Sequence, residues 1–81
     1  MDKAVVVLNI HNENKKVDLE VPLDITANEL VIALNKAYNL GINVENVMEL
    51  HIRSENPIAL LKGNRTLKEY NIRNGSILNI I

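Results

Sequence analysis

Two histidines, one basic loop and a scatter of carboxylates are the residues of this 81-residue chain whose types could do chemistry. His11 lies in the polar cluster His-Asn-Glu-Asn-Lys and His51 in an alternating apolar run, without the H-x-x-x-H spacing that would make them metal ligands. They read as solvated surface histidines. Lys62-Gly63-Asn64-Arg65 carries the charge of a phosphate loop but lacks the G-x-x-x-x-G-K-[ST] spacing that wraps backbone amides around an anion, so it reads as a connector. Asp18, Glu20, Glu45 and Glu49 stand singly, and none belongs to an apolar pocket of the kind that raises a catalytic pKa. With no cysteine there is no thiolate nucleophile, disulfide or Cys-based zinc site. The chain is expected to be no enzyme and to hold no cofactor or metal.

A formal charge of −1 lacks the basic excess that phosphate contacts require, so nucleic acid is not an expected partner. The longest apolar runs, Ala4 to Leu8 and Ile58 to Leu61, are far short of a membrane span. The start, MDKAVVV, has no signal-peptide h-region, so neither export nor direct membrane insertion is expected and a cytoplasmic location fits best. No repeat or linker divides the sequence, and residues 1–81 are expected to form one domain whose core uses most of its aliphatic side chains.

The elements follow from periodicity and turn chemistry. Ala4 to Ile10 is a β-branched run ending in turn formers, and Val17, Leu19 and Val21 alternate with Asp18 and Glu20, which makes a hairpin. Pro22 suits the end of an edge strand. Thr26-Ala-Asn-Glu29 has capping-box spacing and opens a helix. Leu30, Val31, Leu34, Ala37 and Tyr38 form its apolar stripe, Asn28, Asn35 and Lys36 lie off it, and Gly41 is expected to supply the left-handed residue that ends it after Asn39. Met48, Leu50 and Ile52 alternate with Glu49, His51 and Arg53 as a third strand. Ser54 to Pro57 reads as a turn, Ile58 to Leu61 as a short strand, and Thr66-Leu-Lys-Glu69 as a second capping box opening a brief 3-10 turn. Asn74-Gly75 leads into a last strand, Ser76 to Ile81. The fold class expected is α+β, a mixed sheet with one main helix.

That order is the order of the β-grasp. The segment Asn64-Arg-Thr-Leu-Lys-Glu-Tyr-Asn-Ile72, followed by Ser76, Leu78 and Ile80, resembles the corresponding region of ubiquitin, and Asp18-Leu-Glu-Val21, Thr26, Leu30 and Leu34 extend the match over essentially the whole chain. The resemblance implies a ubiquitin-like fold in which the Tyr70 hydroxyl bonds a backbone group, with Leu67 and Ile72 anchoring the same corner. The departures bear on function. Conjugating and sulfur-carrier members of the superfamily need a flexible Gly-Gly tail, whereas this sequence ends at Ile80-Ile81 within the expected last strand, so covalent modification is not expected. At the central position of strand 3, His51 replaces an apolar residue of ubiquitin's binding patch, with Asn79 and Ile81 at the partner positions.

Asp18-Leu-Glu-Val-Pro22, the Asn-rich first turn and the closing Tyr-Asn-Ile-x-Asn-Gly-Ser-Ile-Leu are similar to the YukD/EsaB-like proteins of type VII secretion systems in Gram-positive bacteria. The resemblance implies a non-catalytic accessory or regulatory factor whose partners are secretion-system proteins. A small non-catalytic β-grasp subunit of a multicomponent oxygenase is the alternative.

Strand parity then nominates a face. If Val6, Leu8 and Ile10 point at the helix, Val5 and Val7 point outward beside Ile77, Asn79 and Ile81. These give an apolar strip with Asp18 and Glu20 on one side and Glu49, His51 and Arg53 on the other. Such a surface suits a protein partner or a second copy of the chain.

Overall fold

The computed structural model describes residues 2–43, 45 and 51–80. Strand β1, Lys3–Ile10, buries Ala4, Val6, Leu8 and Ile10, and the alternate residues point away from the core. A single 3-10 turn, His11–Glu13, reverses the chain, closed by Asn14 in the left-handed region at φ 50°, where an asparagine side chain is tolerated. Strand β2, Lys15–Pro22, returns antiparallel in unbroken register from Ile10↔Lys15 to Lys3↔Pro22. It is an edge strand, so the N–H that Pro22 lacks leaves no gap inside the sheet.

Helix α1, Ala27–Tyr38, begins with both halves of the capping box. The Glu29 N–H donates to the Thr26 hydroxyl at 3.1 Å and the Thr26 N–H to the Glu29 carboxylate at 3.0 Å. Ala27, Leu30, Val31 and Leu34 are buried and Tyr38 is half-buried, but Ala37 is exposed, so the stripe is narrower than its spacing suggested. The helix stops at Asn39, which itself takes the left-handed conformation at φ 52°, and Gly41 lies two residues beyond the cap. Asn28 and Asn35, which lie off the apolar stripe, fasten loops. Asn35 accepts from the Ile42 N–H at 2.8 Å and donates to its carbonyl at 3.1 Å, and Asn28 accepts from the Gly63 N–H at 3.1 Å.

Strand β3, His51–Glu55, extends through two residues expected to turn, and the expected strand residues Met48 to Leu50 lie outside the described residues. Ser54 points inward, buried, and its hydroxyl donates to the Pro57 carbonyl at 2.7 Å, so the reversal comes at residues 56–58. Strand β4, Ala59–Lys62, therefore starts one residue later than expected and leaves Ile58 in the turn. After Thr66 the chain makes a brief turn held by the i→i+3 bonds of Tyr70 N–H to the Leu67 carbonyl at 3.1 Å and Asn71 N–H to the Lys68 carbonyl at 3.0 Å, and a further 3-10 turn forms at His11–Glu13. Strand β5, Ile77–Ile80, completes a five-stranded mixed sheet of order β2-β1-β5-β3-β4, parallel only between β1 and β5.

Leu8, Leu61, Leu67 and Leu78 are fully buried with α1 on one face of this sheet, each contributing about 1.5–3 kcal/mol by removal from water. The start of the helix is tied to the loop after β4 by Ala27 N–H on the Arg65 carbonyl and Leu67 N–H on the Ile25 carbonyl, both at 2.9 Å. With α1 fixed on one side, the other side of the sheet faces solvent.

Candidate protein-interaction face

The outward face is defined by two rows that cross the strands. In the first, Asp18 of β2 lies opposite Val7 of β1, Val7 opposite Ile77 of β5, and Ile77 opposite Glu55 of β3. In the second, Lys16, Asn9, Asn79, Arg53 and Leu60 follow one another from β2 to β4. Val5 stands next to Val7 on the same side, 46% exposed and opposite Glu20. Val5, Val7 and Ile77 are thus one apolar group with Asp18 and Glu20 beside it, as parity on β1 and β5 suggests.

Next to Ile77 on β5, Asn79 forms a polar junction. Its amide nitrogen donates to the Glu55 carboxylate at 3.0 Å, while its oxygen accepts from the Asn9 amide at 3.3 Å and lies 3.0 Å from the His11 ring nitrogen Nε2. These bonds join the C-terminal parts of β1, β5 and β3 across the face.

On the far side the flank consists of Glu55 and Arg53, with His51 at the first residue of β3, opposite Lys62. Arg53 is the β3 residue opposite Asn79. Glu49 and Ile81 lie outside the described residues. Beyond this flank a groove of about 490 Å³ is lined by Arg53, Glu55 and Asn79 together with Ile58 and Leu60. Ile58 is 90% exposed and Leu60 44%. Glu55, Ile58 and Leu60 escaped the sequence reading because Ser54 to Pro57 resembles a turn. The signal available was the parity of Ile58 and Leu60 against buried Leu61.

The groups with shifted pKa values lie away from this face. Backbone N–H groups of Thr26 and Thr66 hold the carboxyls of Glu29 and Glu69 below the ordinary range, and the Lys68 ammonium, 2.8 Å away, does so for Asp2. Each stabilises a cap or a chain end. Among the described residues no cluster of three or more His, Asp or Glu could hold a metal ion, and no buried side-chain polar atom lacks a partner. Chemically, the face offers apolar contact, hydrogen bonds and charges of both signs, which are the means of protein binding.

One helix over a mixed sheet, with β1 and β5 parallel and central, defines a β-grasp domain of the ubiquitin-like class. Solved structures agree. The chain aligns over its full length with 78% of a ubiquitin-like domain of an Arabidopsis thaliana protein, at 18% identity and a TM-score of 0.73. It also aligns over 95% of its length with 82% of the C-terminal ubiquitin-like domain of mouse tubulin-specific chaperone e, at 19% identity and a TM-score of 0.69. The corresponding domain of Plasmodium falciparum Dsk2 matches at 21% identity and a TM-score of 0.62, covering 96% of this chain and 97% of that one. Residues 5–80 match the model of the family described as WXG100 protein secretion system (Wss), protein YukD, and the chain belongs to that family. A search of curated proteins gives no significant match. No helix among the described residues is long and apolar enough to cross a membrane.

Proposed function

We propose that residues 1–81 act as one ubiquitin-like binding unit, a non-catalytic accessory or regulatory component of a type VII secretion system in a Gram-positive bacterium. It works in the cytoplasm by noncovalent binding of other proteins of the secretion machinery. The family supplies the setting. The observation that supports the mode of action is the Val7–Ile77 pair, an outward apolar contact between the two central strands, beside exposed Val5 and rimmed by Asp18, Glu20 and Glu55. An apolar centre within a charged rim is the anatomy of a docking surface. Arg53, Asn79 and His51 extend the proposed face across β5 and β3, and Glu49 and Ile81 join it by sequence parity.

The test is Val7→Glu combined with Ile77→Lys. Both side chains point away from the core, so the variant should fold with an unchanged circular dichroism spectrum. It should fail to recover secretion-system proteins in a crosslinking pulldown from the native cell. Recovery at the level of the unmodified chain would refute the assignment of this face.

A further inference from the structure

The groove between β3 and β4 lies outside the Val5–Val7–Ile77 group, and its composition suits one kind of occupant. It has three features together: a projecting apolar knob, Ile58, at 90% exposure; an apolar trough of about 490 Å³ beside it; and two opposite charges, Arg53 and Glu55, two residues apart on the outward side of β3. A surface that carries a knob, a hollow and both signs of charge is complementary to itself. Under a two-fold axis each feature of one copy meets its counterpart on the other.

The edge of β4 excludes a different geometry. The Tyr70 hydroxyl accepts from the Lys62 N–H at 3.3 Å and donates to the Lys62 carbonyl at 2.8 Å, so it occupies the sheet edge where an added strand would bond. Contact through side chains on the outward face remains open, whereas extension of the sheet through this end of β4 is blocked.

We propose that the β3–β4 groove is the contact between two copies of this chain, with Ile58 of each copy seated in the trough of the other and each Arg53 paired with the partner copy's Glu55. Charge supports a second copy over an unrelated occupant. Arg53 makes no ion pair among the described residues, and Glu55 gives Asn79 only one of its two oxygens, so both retain capacity for a cross-copy pair. The trough is shallow, which places the dimer in the weak class that buries under about 1,200 Å² in total.

Sedimentation equilibrium on the purified chain tests this. The mass should climb from 9.1 kDa toward twice that value as concentration rises into the millimolar range. Ile58→Asp should hold it at the monomer value, and because Ile58 is 90% exposed the variant should keep the circular dichroism spectrum of the unmodified chain. Arg53→Glu or Glu55→Arg alone should weaken association about tenfold or more, by setting like charges opposite one another. The double variant Arg53→Glu with Glu55→Arg should restore it, because a two-fold contact is indifferent to exchanging the two signs. A monomer at every concentration overturns the proposal, as does a dimer insensitive to Ile58→Asp or one that the double reversal fails to restore. A monomer whose Ile58→Asp form loses a secretion-system protein in the pulldown assigns the groove to that protein and equally overturns it. The groove shares Arg53, Glu55 and Asn79 with the proposed face, but none of these readouts uses the Val7 and Ile77 variant, so the failure of one proposal is distinguishable from that of the other.

Discussion

The Tyr70 hydroxyl bonds both backbone groups of Lys62, donating to the carbonyl at 2.8 Å and accepting from the N–H at 3.3 Å. One phenol therefore satisfies the end of β4, and Arg65 stacks on its ring with the guanidinium carbon 5.0 Å from the centroid. Tyr70→Phe keeps the ring but removes both bonds. Because Lys62 is exposed, water takes over part of the loss, and the expected cost is about 1 kcal/mol in urea unfolding. No loss would mean that the hydroxyl is dispensable to the corner.

The paired capping boxes set the acid limb of stability. In Glu29 and Glu69 the bonds received from the backbone N–H of Thr26 and Thr66 come first among the causes that lower the pKa, followed by the threonine side chains. A carboxyl whose folded pKa is depressed stabilises the fold above its unfolded value of about 4.3, and that contribution is lost as pH falls through the folded value. Glu29→Gln with Glu69→Gln should flatten the fall in melting temperature between about pH 5 and pH 3. Lys68 behaves oppositely. Its pKa is raised by its hydrogen bond to Asp2, so its contribution persists through neutral pH and is lost only as pH climbs through that raised value.

Ser76 is fully buried, and its hydroxyl donates to the Asn56 carbonyl at 2.7 Å while accepting from the Arg73 N–H at 3.0 Å. Ser76→Ala leaves both backbone groups without that partner in a part-buried setting. The expected cost is about 1–3 kcal/mol by chemical denaturation. Ser76→Thr retains the hydroxyl and separates loss of bonding from a change in packing.

Asn39 ends α1 at φ 52°, a region where a β-carbon meets the following carbonyl. Asn39→Val should therefore destabilise by about 1–2 kcal/mol, and Asn39→Gly should be tolerated, as thermal melts of the two variants would show. Equal melting temperatures for these variants would put the helix stop elsewhere.

The parts of the fold governed by local bonding were legible in the sequence. Thr26 with Glu29, and Thr66 with Glu69, are spaced so that each side chain reaches the other's N–H, and both pairs do so. The inward and outward sets on β1 followed from parity alone. Boundaries set by tertiary bonds were not legible. Ser54 looks like a turn residue because its hydroxyl competes for backbone groups, and only the carbonyl of Pro57 at 2.7 Å reveals that it does so from inside a strand. The helix stop fell to Asn39 before Gly41 because asparagine also tolerates the left-handed region. Of the candidate face, Val5, Val7, Ile77 and Asn79 were accessible from alternation. The junction at Asn79 and the groove beside Glu55 depend on which strands become neighbours, which no local pattern encodes.

The parallel register that sets Val7 against Ile77 joins residues seventy positions apart. During synthesis, a chain that has emerged only through β4 lacks the strand that sits at the centre of the sheet, and β1 with β2 is separated from β3 with β4. Closing so long a loop makes the central pairing a late and slow event. The apolar group shared by β1 and β5 then exists only once β5 has paired, so a partner that reads it would distinguish the folded domain from a chain still lacking that strand.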